Sequence, residues 1–283
     1  MSYRVSDHSP TEICEQPREA ADELISRTIG IVVAAGSGSR LGASVPKAFV
    51  PVRGKPMVDR AVGAIRDAAC VASIIVVVPP KNRGDSGQDH SAALAERLAR
   101  DGPLCTVEGG ETRQESVRRA LMWCRSALPG AQFVAIHDAA RCLMPAGVIR
   151  RVVEAAWDYG AATAALPAVD TLRRIEDAVH HGFPGEQNEN PSAGVLGAEV
   201  DRTYLWQIQT PQAFELELLW RGHHRGDDGG QFGLSPDSTI ATDDTALVSP
   251  FHPVHVVRGS RFGFKVTSPE DLAFAEIVAD QIP

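Results

Sequence analysis

The sequence predicts an α/β protein with a twisted, mainly parallel β-sheet that carries helices on both faces. Short apolar runs alternate with longer amphipathic stretches of helical period, which is the pattern of parallel strands joined by crossover helices. The first run, Ile29–Ala35 (IGIVVAA), is apolar on both faces and is typical of a central parallel strand. Further runs lie at Ser73–Val78, Cys105–Val107, Phe133–His137 and Ala161–Leu166.

Helices are predicted between these runs at Met57–Ala69, Ser91–Arg100, Arg113–Leu128 and Pro145–Tyr159. The alternation stops after Pro167. Thr171–Glu176 and Asp201–Gln209 are strand-like, and Gly182–Gly197 between them is rich in Gly, Pro, Asn and Ser. We therefore expect a protruding β-hairpin arm at about residues 168–210, with a flexible tip.

The two ends of the chain carry different signals. Near the C-terminus, Ser268 precedes Pro269, and Asp271 occupies the capping-box position, which predicts a helix that begins there. Residues 1–27 offer little to bury, which predicts a disordered or loosely helical tail. Residues 28–283 are expected to form a single domain.

Composition narrows the classes of function. A formal net charge of -8 argues against bulk binding of nucleic acid or of an anionic membrane surface, so any phosphate chemistry needs a local basic cluster. The five cysteines are scattered without metal-ligand spacing, which indicates thiols in a reducing compartment. No apolar run approaches the roughly 20 residues that span a bilayer. The expected location is the cytoplasm.

A glycine-rich, cationic loop follows the first strand. It contains Ala34, Ala35, Gly36, Gly38 and Arg40, and Lys47 follows a proline shortly after it. Glycines let backbone N–H groups approach phosphate oxygens, and the two cations add charge, so the loop predicts a nucleotide triphosphate site. The alternative is a simple surface turn. The loop lacks the glycine before Lys-Ser/Thr of a P-loop, and its glycine spacing misses the dinucleotide fingerprint.

Two further motifs follow strand ends. Gly109-Gly110-Glu111-Thr112-Arg113-Gln114-Glu115-Ser116 enters a helix and could read the edge of a base, although alone it is more typical of an ordinary turn. His137-Asp138-Ala139-Ala140-Arg141 ends an apolar strand, where a carboxylate suits Mg²⁺ and an arginine suits phosphate; the alternative for Asp138 is a helix cap. Further candidates, each of which alone could be an exposed strand residue or a cap, are Thr171, Arg202, Thr210, Thr242 and Lys265.

Taken in order, seven segments resemble the 2-C-methyl-D-erythritol 4-phosphate cytidylyltransferase family over about residues 29–280. They are AAGSGSRLGASVPKAF, GGETRQESV, HDAAR, DTLRR, DRTYLWQIQTPQAF, ATDDTAL and GFKVTSPEDLAFAE. The resemblance implies a Rossmann-like nucleotidyltransferase fold and a homodimer with exchanged arms. It also implies a Mg²⁺-dependent reaction of CTP with methylerythritol phosphate, a polyol phosphate, in non-mevalonate isoprenoid biosynthesis.

The resemblance also implies a role for each matching residue. Arg40, Lys47 and Lys265 would be catalytic, and Asp138 would hold Mg²⁺. The nucleotide would be bound by Ala34, Ala35, Gly36, Gly38, Gly110, Glu111, Ser116 and Ala139. The acceptor would be bound by Arg141, Thr171, Arg202, Thr210 and Thr242, with Thr171 and Arg202 supplied by the partner's arm. The sequence departs from the family at Cys142, where proline is common, and at Gly263, where a polar residue is usual.

Three other functions share part of this pattern. A ribitol 5-phosphate or another sugar-phosphate cytidylyltransferase would use the same nucleotide motifs. A nucleotide-binding module without turnover would have less need of cations at the reacting phosphate. A nicotinamide-dependent oxidoreductase is disfavoured by the missing fingerprint.

Overall fold

The computed structural model describes residues 18–36, 41, 45–80, 94, 104–179, 193–224, 241 and 243–282. Its strands are β1 (Thr28–Val33), β2 (Pro51–Val52), β3 (Lys55–Pro56), β4 (Ser73–Val78), β5 (Leu104–Glu108), β6 (Phe133–Asp138), β7 (Ala161–Pro167), β8 (Leu172–Val179), β9 (Ala193–Val200), β10 (Trp206–Glu215) and β11 (His255–Arg258). Its α-helices are α1 (Arg18–Ser26), α2 (Met57–Ala68), α3 (Arg113–Ala127), α4 (Ala146–Tyr159), α5 (Leu216–His224), α6 (Thr245–Val248) and α7 (Pro269–Val278).

A seven-stranded sheet forms the body, in the order β11-β7-β10-β6-β1-β4-β5. Neighbouring strands are parallel except where β10 runs antiparallel to β6 and β7. Strand β1 lies between β4 and β6 and is buried along most of its length, as its continuous apolar run predicts. The predicted α/β class with a mainly parallel sheet is therefore confirmed.

Helices cover both faces of this sheet. The apolar sides of α2 and α4 pack on one face, where Ile65 and Val152 are fully buried. The apolar sides of α3 and α5 pack on the other, around Leu121, Phe214 and Leu219. Burying apolar surface contributes about 25 cal/mol of free energy per Å². Because both faces of the sheet are buried in this way, the strands are held in register, and the positions of their carboxyl ends are fixed.

Helix boundaries agree closely with the predicted ones. Helices α2, α3 and α4 each differ from the prediction by one residue at one end. The predicted capping box is present in α7: Asp271 donates its N–H to Ser268 Oγ at 3.3 Å, and its carboxylate accepts from the Ser268 N–H at 2.9 Å. Of the predicted helix Ser91–Arg100, only Leu94 lies within the described residues.

The prediction of which two strands form the arm needs a correction. Strand β8 pairs antiparallel with β9, whereas the predicted return strand Asp201–Gln209 instead leads into β10 of the main sheet. The reason is burial: residues 209–214 of β10 are enclosed between β6 and β7, and this outweighs the local resemblance to an arm strand. Residues 193–197, which the sequence places in the flexible tip, belong to strand β9.

The last part of the N-terminal tail agrees with the helical alternative of the prediction. Arg18–Ser26 forms helix α1, and residues 1–17 lie outside the described residues. The Thr28 hydroxyl donates to the Leu24 carbonyl at 2.6 Å, and the Arg27 carbonyl accepts from the Gln132 N–H at 2.8 Å. These contacts connect the helix to the first strand of the sheet. Within the described part of the chain, no helix is long and apolar enough to cross a membrane.

Candidate functional site

A cavity of about 310 Å³ opens at the carboxyl ends of the central strands. The register aligns Val33 at the end of β1 with Asp138 at the end of β6, and β5 ends beside β4. Loops that leave adjacent parallel strands therefore converge, as expected for ligand sites in open α/β sheets. The cavity is lined by Val33, Ala34, Ala35, Gly36, Lys47, Ala48, Gly110, Glu111, Thr112, Arg113, Ser116, Asp138, Ala139, Ala140 and Lys265.

The glycine-rich loop forms one wall of the cavity. The Ala34 N–H donates to the Val77 carbonyl at 2.8 Å, so the loop leaves the sheet in a fixed direction. A Cβ built on Gly36 meets nothing within 4 Å, which shows that the backbone here borders open space. Lys47 begins a 3-10 turn, Lys47–Phe49, and lines the same cavity. Gly38 and Arg40 lie outside the described residues.

The second glycine motif forms the opposite wall. A Cβ on Gly109 would lie 2.4 Å from Ala35 Cβ, so glycine is required for the two walls to approach. Ser116 Oγ accepts from the Gly110 N–H at 3.0 Å and donates to the Thr112 carbonyl at 2.8 Å. The serine therefore sets the shape of the turn that lines the cavity.

Asp138 is the centre of charge in the site. Its Oδ1 accepts from Arg113 Nε at 3.0 Å, and its Oδ2 lies 2.8 Å from Lys265 Nζ. Burial raises the pKa of Asp138, but the two cations outweigh burial, so this pKa lies well below its ordinary value. The carboxylate is therefore ionised at neutral pH and faces the cavity as an acceptor.

Thr210 and His137 support Asp138 from behind. Thr210 is buried, and its hydroxyl accepts from the Asp138 N–H at 3.0 Å and lies 3.1 Å from His137 Nδ1. Burial lowers the pKa of His137 to about 4, so its ring is neutral at physiological pH. The described contacts of Thr210 thus orient the backbone of Asp138, and its contact with an acceptor stays a prediction.

Arg141 faces a second cavity of about 320 Å³, which is adjacent to the first. Its guanidinium donates to the Gly263 carbonyl at 2.7 Å and to the Ile208 carbonyl at 3.2 Å. Lys265 lines both cavities, and Arg261 and Phe264 line the second. Two neighbouring spaces that share one lysine are suited to two anionic ligands whose reacting ends meet at Lys265.

Most predicted site residues therefore meet at these two cavities. The exceptions among the described residues are Thr210, whose hydroxyl lies behind Asp138, and Thr171 and Arg202, which are exposed on the arm; Arg202 donates to the Val169 carbonyl. Thr242 lies outside the described residues. The roles of all these residues stay predictions.

Two charged residues of the site were not predicted. Arg113 Nη2 donates to Asp244 Oδ2 at 2.8 Å, so that one guanidinium bridges Asp244 and Asp138. Both residues lie inside segments that carry the family resemblance, GGETRQESV and ATDDTAL. Neither segment alone reveals the pair, because the two residues are 131 positions apart in the chain.

Asp138 also meets the requirement for a magnesium ligand. Among the described residues, no group of three or more His, Cys, Asp or Glu side chains could hold a resident metal. Mg²⁺ binds one or two carboxylates together with substrate phosphates and retains several waters. A single ionised carboxylate beside the glycine-rich loop fits a Mg²⁺ ion that arrives with a nucleotide.

Comparisons with known proteins agree with the geometry. A family model described as IspD: 2-C-methyl-D-erythritol 4-phosphate cytidylyltransferase matches residues 28–281. The protein of that name from Prochlorococcus marinus (strain MIT 9313) is 37% identical over 251 residues, which cover 88% of this chain and 96% of the relative. The protein of that name from Deinococcus radiodurans is 38% identical over 257 residues, which cover 90% and 91%. A crystal structure of the protein of that name from Thermus thermophilus has a TM-score of 0.63 and 31% identity, with 89% of this chain and 99% of that chain covered.

Proposed function

The chain belongs to the 2-C-methyl-D-erythritol 4-phosphate cytidylyltransferase family, and we propose that it transfers the cytidylyl group of CTP to 2-C-methyl-D-erythritol 4-phosphate. The products are 4-diphosphocytidyl-2-C-methyl-D-erythritol and pyrophosphate, in non-mevalonate isoprenoid biosynthesis. One observation carries the proposal: four segments remote in sequence line one cavity. They supply a glycine-rich backbone, Lys47, a base-sized turn at Gly110, and the Asp138–Lys265 ion pair.

The reaction is an in-line displacement at the α-phosphorus of CTP. An oxygen of the acceptor phosphate forms a bond to this phosphorus, and the bond to the bridging oxygen breaks, so that pyrophosphate leaves with the electron pair. The attacking phosphate monoester is mostly dianionic at neutral pH and needs no strong general base. Catalysis then rests on alignment and on neutralising negative charge in the transition state.

The position of each cation indicates which phosphate it neutralises or aligns. Lys47, beside the glycine-rich loop, neutralises charge on the α-phosphate and the departing pyrophosphate, and Arg40 is proposed to act with it. Lys265, between the two cavities, aligns the acceptor phosphate. Asp138 would hold Mg²⁺, which when bound offsets negative charge on the triphosphate. The turn at Gly110, Glu111 and Ser116 is proposed to bind cytosine through its backbone, and Ala139 approaches the ribose.

The test is pyrophosphate release in the presence of MgCl₂, measured with each of CTP, UTP, ATP and GTP. Each nucleotide is paired with methylerythritol phosphate or with ribitol 5-phosphate. We expect release only with CTP and methylerythritol phosphate. Release only with ribitol 5-phosphate would overturn the acceptor assignment while leaving the nucleotide site in place, and release without MgCl₂ would overturn the metal dependence.

A homodimer formed by exchanged arms is also proposed. The arm exposes apolar side chains, among them Ile175, Leu196 and Tyr204. Ile175 and Leu196 are cross-strand neighbours in the β8–β9 pair, so they form one apolar surface. A surface of this kind indicates a protein contact. A partner that covers this surface would also bring its own Thr171 and Arg202 to the second cavity, the one that Arg141 lines and where the acceptor is proposed to bind.

Leu196→Asp is expected to convert this dimer to a monomer. The side chain is 68% exposed in the single chain, and burying a leucine contributes about 1.5–3 kcal/mol, once from each subunit. Losing both contributions and burying a carboxylate should raise the dimer dissociation constant at least about 100-fold. Multi-angle light scattering gives the mass. Ile277→Asp on α7, where the side chain is 69% exposed, is the matched control and should remain dimeric. A monomeric wild-type protein, or a dimeric Leu196→Asp variant, contradicts the proposal.

A further inference from the structure

Arg113 lies between two buried carboxylates, Asp138 and Asp244. Its side chain is 21% exposed, and those of Asp138 and Asp244 are 9% and 1% exposed. The planar guanidinium uses Nε for one carboxylate and Nη2 for the other. A lysine has the same charge but presents a single ammonium, so it does not reproduce this fork. Arg113 therefore defines a distance and an orientation between the two acids as well as balancing their charge.

The far end of this bridge is attached to β10 through the backbone of Asp244. The Asp244 N–H donates to Gln212 Oε1 at 3.0 Å, and Gln212 is buried in β10. His223 Nε2 lies 4.0 Å from Asp244 Oδ1, and burial lowers the pKa of His223 to about 4, so this ring brings no positive charge at neutral pH. In the described part of the chain, Arg113 is thus the cation that balances Asp244. Burial raises the pKa of Asp244 and the Arg113 guanidinium opposes that shift, so losing this contact would leave a buried acid without its partner cation.

The near end of the bridge is asymmetric. Asp138 Oδ1 is bound by the half-buried Arg113, whereas Oδ2 is bound by Lys265, whose side chain is 42% exposed. A lysine ammonium on a flexible four-carbon stem can leave a carboxylate and be hydrated at little cost. The two oxygens of Asp138 consequently differ in how easily their present partners are exchanged.

We propose that Arg113 and Asp244 are positioning residues that hold Asp138 by Oδ1 throughout the reaction, and that Oδ2 is the oxygen offered to the metal–nucleotide complex. Lys265 gives up Oδ2 when that complex binds and is then available to the phosphate of the acceptor. The ammonium is thereby kept between the two cavities until both anions are present. This proposal rests on the proposed function, and it concerns how this chain prepares the Asp138 carboxylate for a metal.

The experiment measures Mn²⁺ binding in the presence of CTP, with no acceptor, so that no turnover occurs. Mn²⁺ takes oxygen ligands as Mg²⁺ does, and equilibrium dialysis against the same CTP solution measures the Mn²⁺ held by the protein in excess of that carried by free CTP. Arg113→Lys and Asp244→Asn should each weaken Mn²⁺ binding about 10- to 100-fold, the usual effect of losing a residue that orients a ligand. Lys265→Met should bind Mn²⁺ as tightly as wild type or more tightly, because Oδ2 loses a competitor.

Arg113→Lys separates positioning from a simple charge effect. Charge alone would weaken Mn²⁺ binding in Asp244→Asn and strengthen it in Lys265→Met, but it would leave Mn²⁺ binding unchanged in the charge-conserving Arg113→Lys. The matched control is Arg118→Lys on the same helix, where the arginine contacts Met122 and not the site; it should match wild type. Thermal unfolding of each variant confirms that it is folded at the assay temperature.

Three results would overturn the proposal. They are wild-type Mn²⁺ affinity in Arg113→Lys, a Lys265→Met variant as weak as Arg113→Lys, and a wild-type protein that binds no Mn²⁺ with CTP. Failure of the proposed function is distinguishable, since it would show as the expected order of Mn²⁺ affinities without pyrophosphate release from any nucleotide and acceptor pair.

Discussion

Replacing Lys47 by alanine is expected to lower turnover by about 10²-fold or more, with a smaller effect on CTP binding. The magnitude follows that of removing one donor from an oxyanion site, about 2.7–4 kcal/mol of transition-state stabilisation. Lys47 lines the cavity beside the glycine-rich loop, where the proposed reaction places the departing pyrophosphate and its increasing charge. An interaction that strengthens as charge develops lowers kcat, whereas one that is equal in ground and transition states changes only KM.

The assay is steady-state pyrophosphate release at saturating MgCl₂. Lys55→Ala serves as the control, because Lys55 is an exposed lysine on β3 that does not line the cavity. It should retain wild-type kcat. Near-normal kcat for Lys47→Ala would remove this residue from the catalytic role. An unchanged kcat with a raised KM for CTP would leave it as a ground-state ligand.

The parts of the fold that local signals determine were predictable. The continuous apolar run of β1, the amphipathic period of α2 and the capping box at Ser268 depend on neighbouring residues, and each was found within a residue or two of its expected position. The alternation of such segments also implies the parallel sheet and therefore the location of the site at the strand ends.

The arm shows where local signals stop being sufficient. Segments β9 and Asp201–Gln209 both have strand character, and only packing decides which one pairs with β8. The segment after residue 205 joins the main sheet as β10 because residues 209–214 are buried between β6 and β7. Which strands pair in a seven-stranded sheet depends on the packing of segments that are distant in sequence. A pattern read over a few neighbouring residues does not contain the pairing partner of a strand.

The candidate site divides in the same way. Residues on the loops that follow β1 and β6 were identified because glycine, lysine and aspartate at strand ends have a direct chemical meaning. Arg113 and Asp244 were missed because their importance lies in a contact between distant segments. The family resemblance places Thr210 at the acceptor, but its described hydrogen bonds face inward to Asp138 and His137.

Asp138→Asn is expected to cause the larger loss of activity, on the order of 10³-fold in pyrophosphate release. Asparagine keeps the shape of the side chain but removes the charge that a hard divalent cation requires. Loss of the metal's charge stabilisation is worth several kcal/mol, and each 1.4 kcal/mol is about tenfold in rate. Raising MgCl₂ should restore little of the activity, because an amide oxygen is a poor substitute for a carboxylate.

The same variant should lose less stability than a typical broken buried ion pair, which costs about 3–5 kcal/mol. Arg113 keeps its bond to Asp244, and Lys265 is exposed enough to be hydrated once Asp138 is neutral. Urea unfolding measures this free energy.

The control Asp243→Asn removes a carboxylate that caps α6 through the Ala246 N–H, and it should lose stability without a comparable loss of activity. Activity of Asp138→Asn within tenfold of wild type would exclude Asp138 as the metal ligand. If Asp138→Asn lost as much free energy of unfolding as a typical broken buried ion pair, Lys265 would be held in place in the variant. That result contradicts the proposed exchange of Lys265 for the metal.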